Sequence, residues 1–256
     1  MTRSQLERTT LGEIVSRDFR ASMILDRYGL DYCCGGTRSL ADGCAQRGVD
    51  LKRVMSELES LDPAERDVPD DDPAALVDHI VARHHTYIRT TAPLIQRHLA
   101  KVVEKHGLNH PEVGVIAAQF DTVADQLRLH MLKEEQVLFP YIKALANAVK
   151  HGTPAPPDMF GTVQNPIRMM EVEHQAAGEG MADIRELSHE YHAPSEACST
   201  YRLVFQELAA FEQDLHQHVY LENHVLFPNA VELEERAECS SRGLKSERWE
   251  AEVLKD

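Results

Sequence analysis

What this chain lacks narrows its class before any motif is read. Its 256 residues hold five cysteines, an odd and sparse set that fits a reducing compartment rather than a disulfide framework. Positive charge is short: 27 Lys and Arg stand against 42 Asp and Glu, for a formal net charge of −15. No basic run offsets that balance locally, which argues against a nucleic-acid binder. No stretch of about 18 apolar residues is present to span a bilayer, so no membrane role is expected. The opening residues, MTRSQLERTTLGEIV, lack the continuous apolar core of a signal peptide, and a cytoplasmic location is expected. Strand-type alternation is weak throughout, so the expected fold class is all-α.

Two segments are near-copies: His130-Met-Leu-Lys-Glu134-Glu-Gln-Val-Leu-Phe-Pro140 and His218-Val-Tyr-Leu-Glu222-Asn-His-Val-Leu-Phe-Pro228. In each, a histidine stands four residues before a glutamate. On a helix that spacing puts both side chains on one face, one turn apart, where imidazole and carboxylate can bind the same metal.

The acidic, proline-containing stretch 62–73 reads as a linker between a small helical domain, 1–61, and a larger one, 74–232. In the small domain Thr10-Leu-Gly-Glu13 has capping-box spacing. Asp50 can cap a helix carrying Leu51, Val54, Met55, Leu58 and Leu61. A charged C-terminal extension, 233–256, holds the only tryptophan, Trp249.

The larger domain offers four helical seams. The first threads Val77, Val81, His85, Ile88, Ala92, Ile95, Leu99 and Val102, with Pro93 inside it as an expected kink. The second threads Ile116, Phe120, Val123, Leu127, His130, Glu134, Val137 and Tyr141. The third carries Ile167, Met170, His174, Ala177, Met181 and Ile184. The fourth carries Tyr201, Val204, Leu208, Phe211, Leu215, His218, Glu222 and Val225. His85 precedes His130 by 45 residues and His174 precedes His218 by 44, so two similar hairpins make a pseudo-symmetric four-helix bundle.

Burying His85, His130, Glu134, His174, His218 and Glu222 in that interior is costly unless a cation offsets the carboxylates. A single His-x3-Glu reads most simply as an ion pair; two at matched positions, with a seam histidine on each partner helix, read as metal ligands. The set contains no cysteine, and mixed nitrogen and oxygen ligation suits iron or manganese better than structural zinc. The expectation is a non-haem di-iron centre with bridging Glu134 and Glu222. His84, beside His85, is expected to flank the site, and Glu173 either to relay protons near His174 or to be solvated. The other histidines (79, 98, 106, 110, 151, 189, 192, 216 and 224) are expected on surfaces or loops.

Asp31-Tyr-Cys33-Cys34-Gly35-Gly36 is the remaining motif. Adjacent cysteines can form a strained vicinal disulfide, act as reactive thiols, or donate to a metal or cluster. They can equally be two small buried hydrophobes ahead of a Gly-Gly turn.

With these motifs in hand, residues 74–232 resemble the haemerythrin-like family, and the DYCCGG block resembles the N-terminal domain of the Repair of Iron Centres proteins of the YtfE/ScdA type. The resemblance implies a haemerythrin-like four-helix bundle preceded by a small helical dicysteine domain. It implies two non-haem iron ions with an oxo or hydroxo bridge, held by the same six residues, and carries the family's dicysteine onto Cys33 and Cys34. Oxygen-carrying haemerythrins have a further histidine where this chain has Gly178. Position 126 is Gln where the family pattern expects a glutamate.

The implied function is repair of iron–sulfur clusters damaged by nitrosative or oxidative stress, by donation of iron to damaged iron–sulfur proteins. Alternatives are a nitric oxide-reducing enzyme and a binder or sensor of oxygen or nitric oxide. A DYCCGG domain favours repair, since a plain binder has no evident need of it. A homodimer follows only from the resemblance.

Overall fold

The computed structural model describes residues 3–18, 20–61, 72–157 and 159–239. Most of the stretch read as a linker (62–71), and the tail from 240 with Trp249, lie outside them.

The small domain packs α1 (Arg3–Arg8), α2 (Leu11–Arg17), α3 (Ala21–Arg27), α4 (Leu40–Arg47) and α5 (Leu51–Glu59). Thr10 and Glu13 form the reciprocal capping box expected of them, and Asp50 accepts from the Lys52 amide at the start of α5. Leu11, Leu25, Leu40 and Val54 meet in its core without solvent exposure. Such short helices are held by tertiary burial rather than by propensity.

The larger domain is built from four long rods. The first joins α6 (Pro73–Ile80), a π segment (Val81–His85) and α7 (Thr86–His106). The second joins α8 (Glu112–Lys133), a π segment (Glu134–Leu138) and α9 (Phe139–His151). The third is α10 (Gln164–Leu187). The fourth joins α11 (Ser199–Leu221), a π segment (Glu222–Leu226) and α12 (227–239). α7 packs on α8, α8 on α10, α10 on α11 and α11 on α7, closing a four-membered ring. Among the described residues there is no strand, and no helix is long and apolar enough to cross a membrane.

The π segments correct the expected seams. Regular threading places Val137 inside, yet it is 41% exposed while Leu138 is 1% exposed. Leu226 likewise takes the buried place expected for Val225, and Ile80 that expected for Val81. Each π turn inserts one surplus residue and shifts the stripe by one position. The backbone shows it directly: the Phe139 amide donates to the Glu134 carbonyl and the Phe227 amide to the Glu222 carbonyl, each spanning five residues.

The Val-Leu-Phe-Pro ending of the repeat gives the reason. Pro140 and Pro228 lack an N–H, and their rings crowd the carbonyl four residues earlier, so a wider turn just upstream relieves both problems. α7, by contrast, continues across Pro93.

The small domain sits against the far end of α11 and the π segment after it. Asp26 Oδ1 pairs with His216 Nδ1 at 2.7 Å, and Tyr220 reaches the Gly12 carbonyl at 3.3 Å. His224 Nε2 meets the Cys33 carbonyl at 2.7 Å. His216 and His224 are therefore not idle surface or loop groups, as their lack of periodicity suggested; they dock one domain onto the other. His98, half-buried, also pairs with Glu207 across α7 and α11 at 2.7 Å. Gly36 is required by this docking, since a Cβ there would stand 2.6 Å from His224 Nε2 and also strike the Tyr32 carbonyl.

Candidate metal centre

The π segments lie at one level of the bundle, and they deliver the ligand candidates. His85 ends the first; Glu134 and Glu222 begin the other two. His130 and His218 stand one turn before those glutamates, and His174 comes from mid-α10. None of the six is more than 2% exposed.

Their donor atoms fall into two groups: His85, Glu134, His218 and Glu222, and His130, Glu134, His174 and Glu222. Within each group all donor atoms lie within 4.8 Å of one another. The two glutamates belong to both groups, one oxygen to each. Glu134 presents Oε2 to His85 Nε2 at 3.3 Å and Oε1 to His130 Nε2 at 3.2 Å. Glu222 presents Oε1 to His218 Nε2 and Oε2 to His174 Nε2, both at 2.9 Å.

The outward nitrogens assign the tautomers. His85 Nδ1 donates to Glu135 at 2.6 Å, His130 Nδ1 to Glu173 at 2.9 Å and His174 Nδ1 to Asn223 at 2.8 Å. A neutral ring that donates through Nδ1 turns a bare lone pair inward at Nε2. The interior is thus lone pair facing lone pair, with His130 and His174 Nε2 atoms 2.9 Å apart and those of His85 and His218 3.3 Å apart. Both oxygens of Glu134, and Oε2 of Glu222, have no hydrogen-bond donor among the described residues. Buried acceptors in that arrangement require a cation, and nitrogen-plus-carboxylate donors fit iron.

Without a cation, protons are drawn into the same place by the carboxylates. Burial opposes charge on His85, but Glu134 and Glu222 push its pKa up to about 10. Burial likewise opposes charge on His130, yet the same carboxylates raise it well above its ordinary value. Burial lowers His218, and it opposes ionisation of Glu222, which the surrounding histidines nonetheless hold well below the usual carboxylate range.

The outward partners follow a cyclic order that the sequence left unread. Glu135 on the second rod holds His85 on the first, Glu173 on the third holds His130 on the second, and Asn223 on the fourth holds His174 on the third. Each is the immediate neighbour of a ligand candidate, and that adjacency was the available signal. At the fourth place His84 stacks on His218 with ring centroids 5.7 Å apart, while its own Nδ1 pairs with Asp214 at 3.1 Å. His84 is the pseudo-symmetric counterpart of Glu173: each immediately precedes the first histidine of its hairpin. His218 Nδ1 has no hydrogen-bond partner among the described residues.

Glu173 is therefore not a free solvated carboxylate. It grips His130 and is in turn paired with Lys133, just as Glu135 is paired with Arg89. Gln126, one turn before His130, is exposed on α8, so a carboxylate at that position would not face the cluster.

Cys33 and Cys34 lie apart from these six, in the small domain. Both are free, with sulfurs 4.0 Å apart. Asp31 Oδ1 accepts from the Cys33 amide (3.1 Å), the Cys34 amide (2.9 Å) and the Cys33 thiol (3.3 Å). The neighbouring Cys34 and burial push the Cys33 thiol well above its ordinary pKa. The pair opens on a cavity of about 120 Å³ whose lining also includes Gly178, where an added Cβ would meet nothing within 4 Å.

Residues 76–230 match the Hemerythrin HHE cation binding domain, and residues 7–62 match ScdA_N, a domain of unknown function. The chain is 35% identical over 224 residues to the iron–sulfur cluster repair protein YtfE of Citrobacter koseri, an alignment covering 86% of this chain and 96% of the relative. At 34% identity and the same coverage it is similar to the proteins of that name from Escherichia coli and Shigella boydii serotype 4. A cation-binding bundle behind a dicysteine domain, aligned nearly end to end with these relatives, places the chain by descent: it belongs to the family of the YtfE proteins.

Proposed function

We propose that this chain repairs damaged iron–sulfur clusters by supplying iron from a dinuclear site held by His85, His130, His174 and His218, with Glu134 and Glu222 bridging. The observation that carries the reading is the division of each glutamate between two histidine pairs, one oxygen to each. The relatives' name supplies the client class, damaged iron–sulfur proteins.

Bound there, iron supplies a releasable cation, since imidazole and carboxylate hold it less tightly than cluster thiolates do. The chain's own residues do the rest. Glu135, Glu173 and Asn223 fix the ligand rings through their Nδ1 protons and so keep each Nε2 lone pair aimed inward. Phe139, stacked on His85, and Phe227, stacked on His174, exclude water on the α9 and α12 side. Gly178, one turn beyond His174, adds no further imidazole, so that flank is not closed by an extra ligand.

The test is to incubate iron-loaded protein with a nitric-oxide-damaged iron–sulfur enzyme and follow recovered activity together with iron transfer. Recovery in step with iron transfer is expected. Absence of recovery beside multiple-turnover consumption of nitric oxide would overturn donation in favour of reduction.

A further inference from the structure

We propose that Asp31, Cys33 and Cys34 form a second, mononuclear site for a divalent first-row transition cation, separate from the bundle cluster. The site goes beyond the repair reading and does not depend on it, because all three donors come from the small domain.

The geometry carries the inference. The three donor atoms lie within 4.8 Å of one another. Two thiolates bound tetrahedrally to one cation, at about 2.3 Å each, have sulfurs about 3.8 Å apart. A thiolate and a carboxylate oxygen sharing that cation are about 3.6 Å apart. The observed separations are 4.0 Å between the sulfurs and 3.3 Å from Cys33 Sγ to Asp31 Oδ1. A disulfide needs about 2.0 Å between sulfurs and, between adjacent residues, a strained ring. The loop is therefore already spaced for a metal and not for a disulfide.

The surroundings support it. Asp31 accepts both cysteine amides, which fixes the turn and brings the two sulfurs to one side. The Cys33 thiol proton points at the same Asp31 oxygen and occupies the place a cation would take. The adjoining cavity leaves a fourth coordination position for water or a client group, and Gly178 adds no side chain to its lining. Binding is an exchange without redox change: the cation gains two thiolate bonds and a carboxylate bond, and the two thiol protons pass to solvent. Since burial and Cys34 hold the Cys33 thiol protonated, affinity should rise steeply with pH.

Cobalt(II) is the probe. Full-length protein is first loaded with two equivalents of iron, enough for the bundle ligands alone, then titrated anaerobically with Co(II). One equivalent is expected to give a thiolate-to-cobalt charge-transfer band and to release about two protons, one from each thiol. Cys33→Ser/Cys34→Ser should abolish the band while the bundle keeps its iron. Asp31→Asn, which keeps an acceptor for the two amides, should weaken binding by about tenfold or more. No band in the unaltered chain, or a band undiminished in the double variant, overturns the proposal. Unchanged affinity in Asp31→Asn overturns the carboxylate's place in it. Cys34→Ser alone, checked for folding by retained bundle iron, must also lose the band.

Discussion

His224 Nε2 lies 2.7 Å from the carbonyl of Cys33, so the dicysteine loop hangs from the same π segment that begins with Glu222. Removing that donor leaves the part-buried carbonyl with only the long 3.5 Å bond from Asn223 Nδ2, a loss of about 1–1.5 kcal/mol. His224→Ala should therefore raise the rate at which a thiol reagent labels Cys33 by about fivefold to tenfold. Bundle iron content should stay unchanged. Unaltered labelling would mean that Asp31 and Asn223 hold the loop without His224.

His84 and His85 are both buried, yet only His85 joins a donor group. His85→Ala should cost iron affinity by more than the 10–100-fold typical of an outer partner, whereas His84→Ala should stay within about that range. Iron content after dialysis against a chelator reads the difference. Equal losses in the two variants would reverse the assignment.

Glu173 acts through His130 rather than on the metal. Glu173→Ala is expected to lower iron affinity about 10–100-fold, and Glu173→Gln, which keeps an acceptor for the Nδ1 proton, to restore part of it. Competition with a chelator of known affinity measures both. If Gln and Ala behave alike, the hydrogen bond is not what matters.

The shifted seam makes a sharp contrast between neighbours. Leu138→Ala should destabilise the fold by about 2–5 kcal/mol. Val137→Ala, on the exposed side, should fall within about 0.5 kcal/mol of the parent. Denaturant midpoints of the two variants give the test; the opposite ranking would restore an unbroken α-helix.

Asp31 sets a pH window. Burial pushes its carboxyl up, but the amides of Gly35 and Cys34 and the thiol of Cys33 outweigh this and hold it below 3.8. A depressed folded value means that the stabilisation is whole above the unfolded pKa and is lost as pH falls through the folded one. Protection of the Cys33 and Cys34 amides from hydrogen exchange should therefore persist from neutrality down to about pH 4 and fail only below it. Loss of protection already near pH 6 would remove Asp31 as the anchor of the loop.

Much of the centre was legible because helical periodicity and internal repetition agree at the same residues. His130 with Glu134, and His218 with Glu222, interrupt apolar seams at matched places, and His85 and His174 sit at matched distances before them. The misread seam positions share one cause: threading assumes regular turns, and the π segments break that assumption at Val81, Val137 and Val225. His216 and His224 were passed over for a different reason. Their partners, Asp26 and the Cys33 carbonyl, lie about 190 residues away in the chain, and no local pattern announces a contact between domains. Glu135 and Asn223 were hidden by their neighbours, since residues beside Glu134 and Glu222 read as the opposite, solvated face until the packing of adjacent rods is known.

In an unbroken α-helix one surplus residue would turn whatever follows it by about 100° around the axis, and the wide π turn absorbs that residue instead. Three of the four rods absorb a residue in this way at the level of the ligands. The bundle is consequently one packing threaded by two sequence phases: α7, α8, α11 and the second half of α10 on one side, and α6, α9, α12 and the first half of α10 on the other. Deleting a single residue such as Val137 would return α8 and α9 to one unbroken phase, with Leu138, Ile142 and Leu145 still on the buried face and the wide turn after Glu134 lost. The plane that gathers the lone pairs is also the boundary at which the two halves of the domain stop sharing a register.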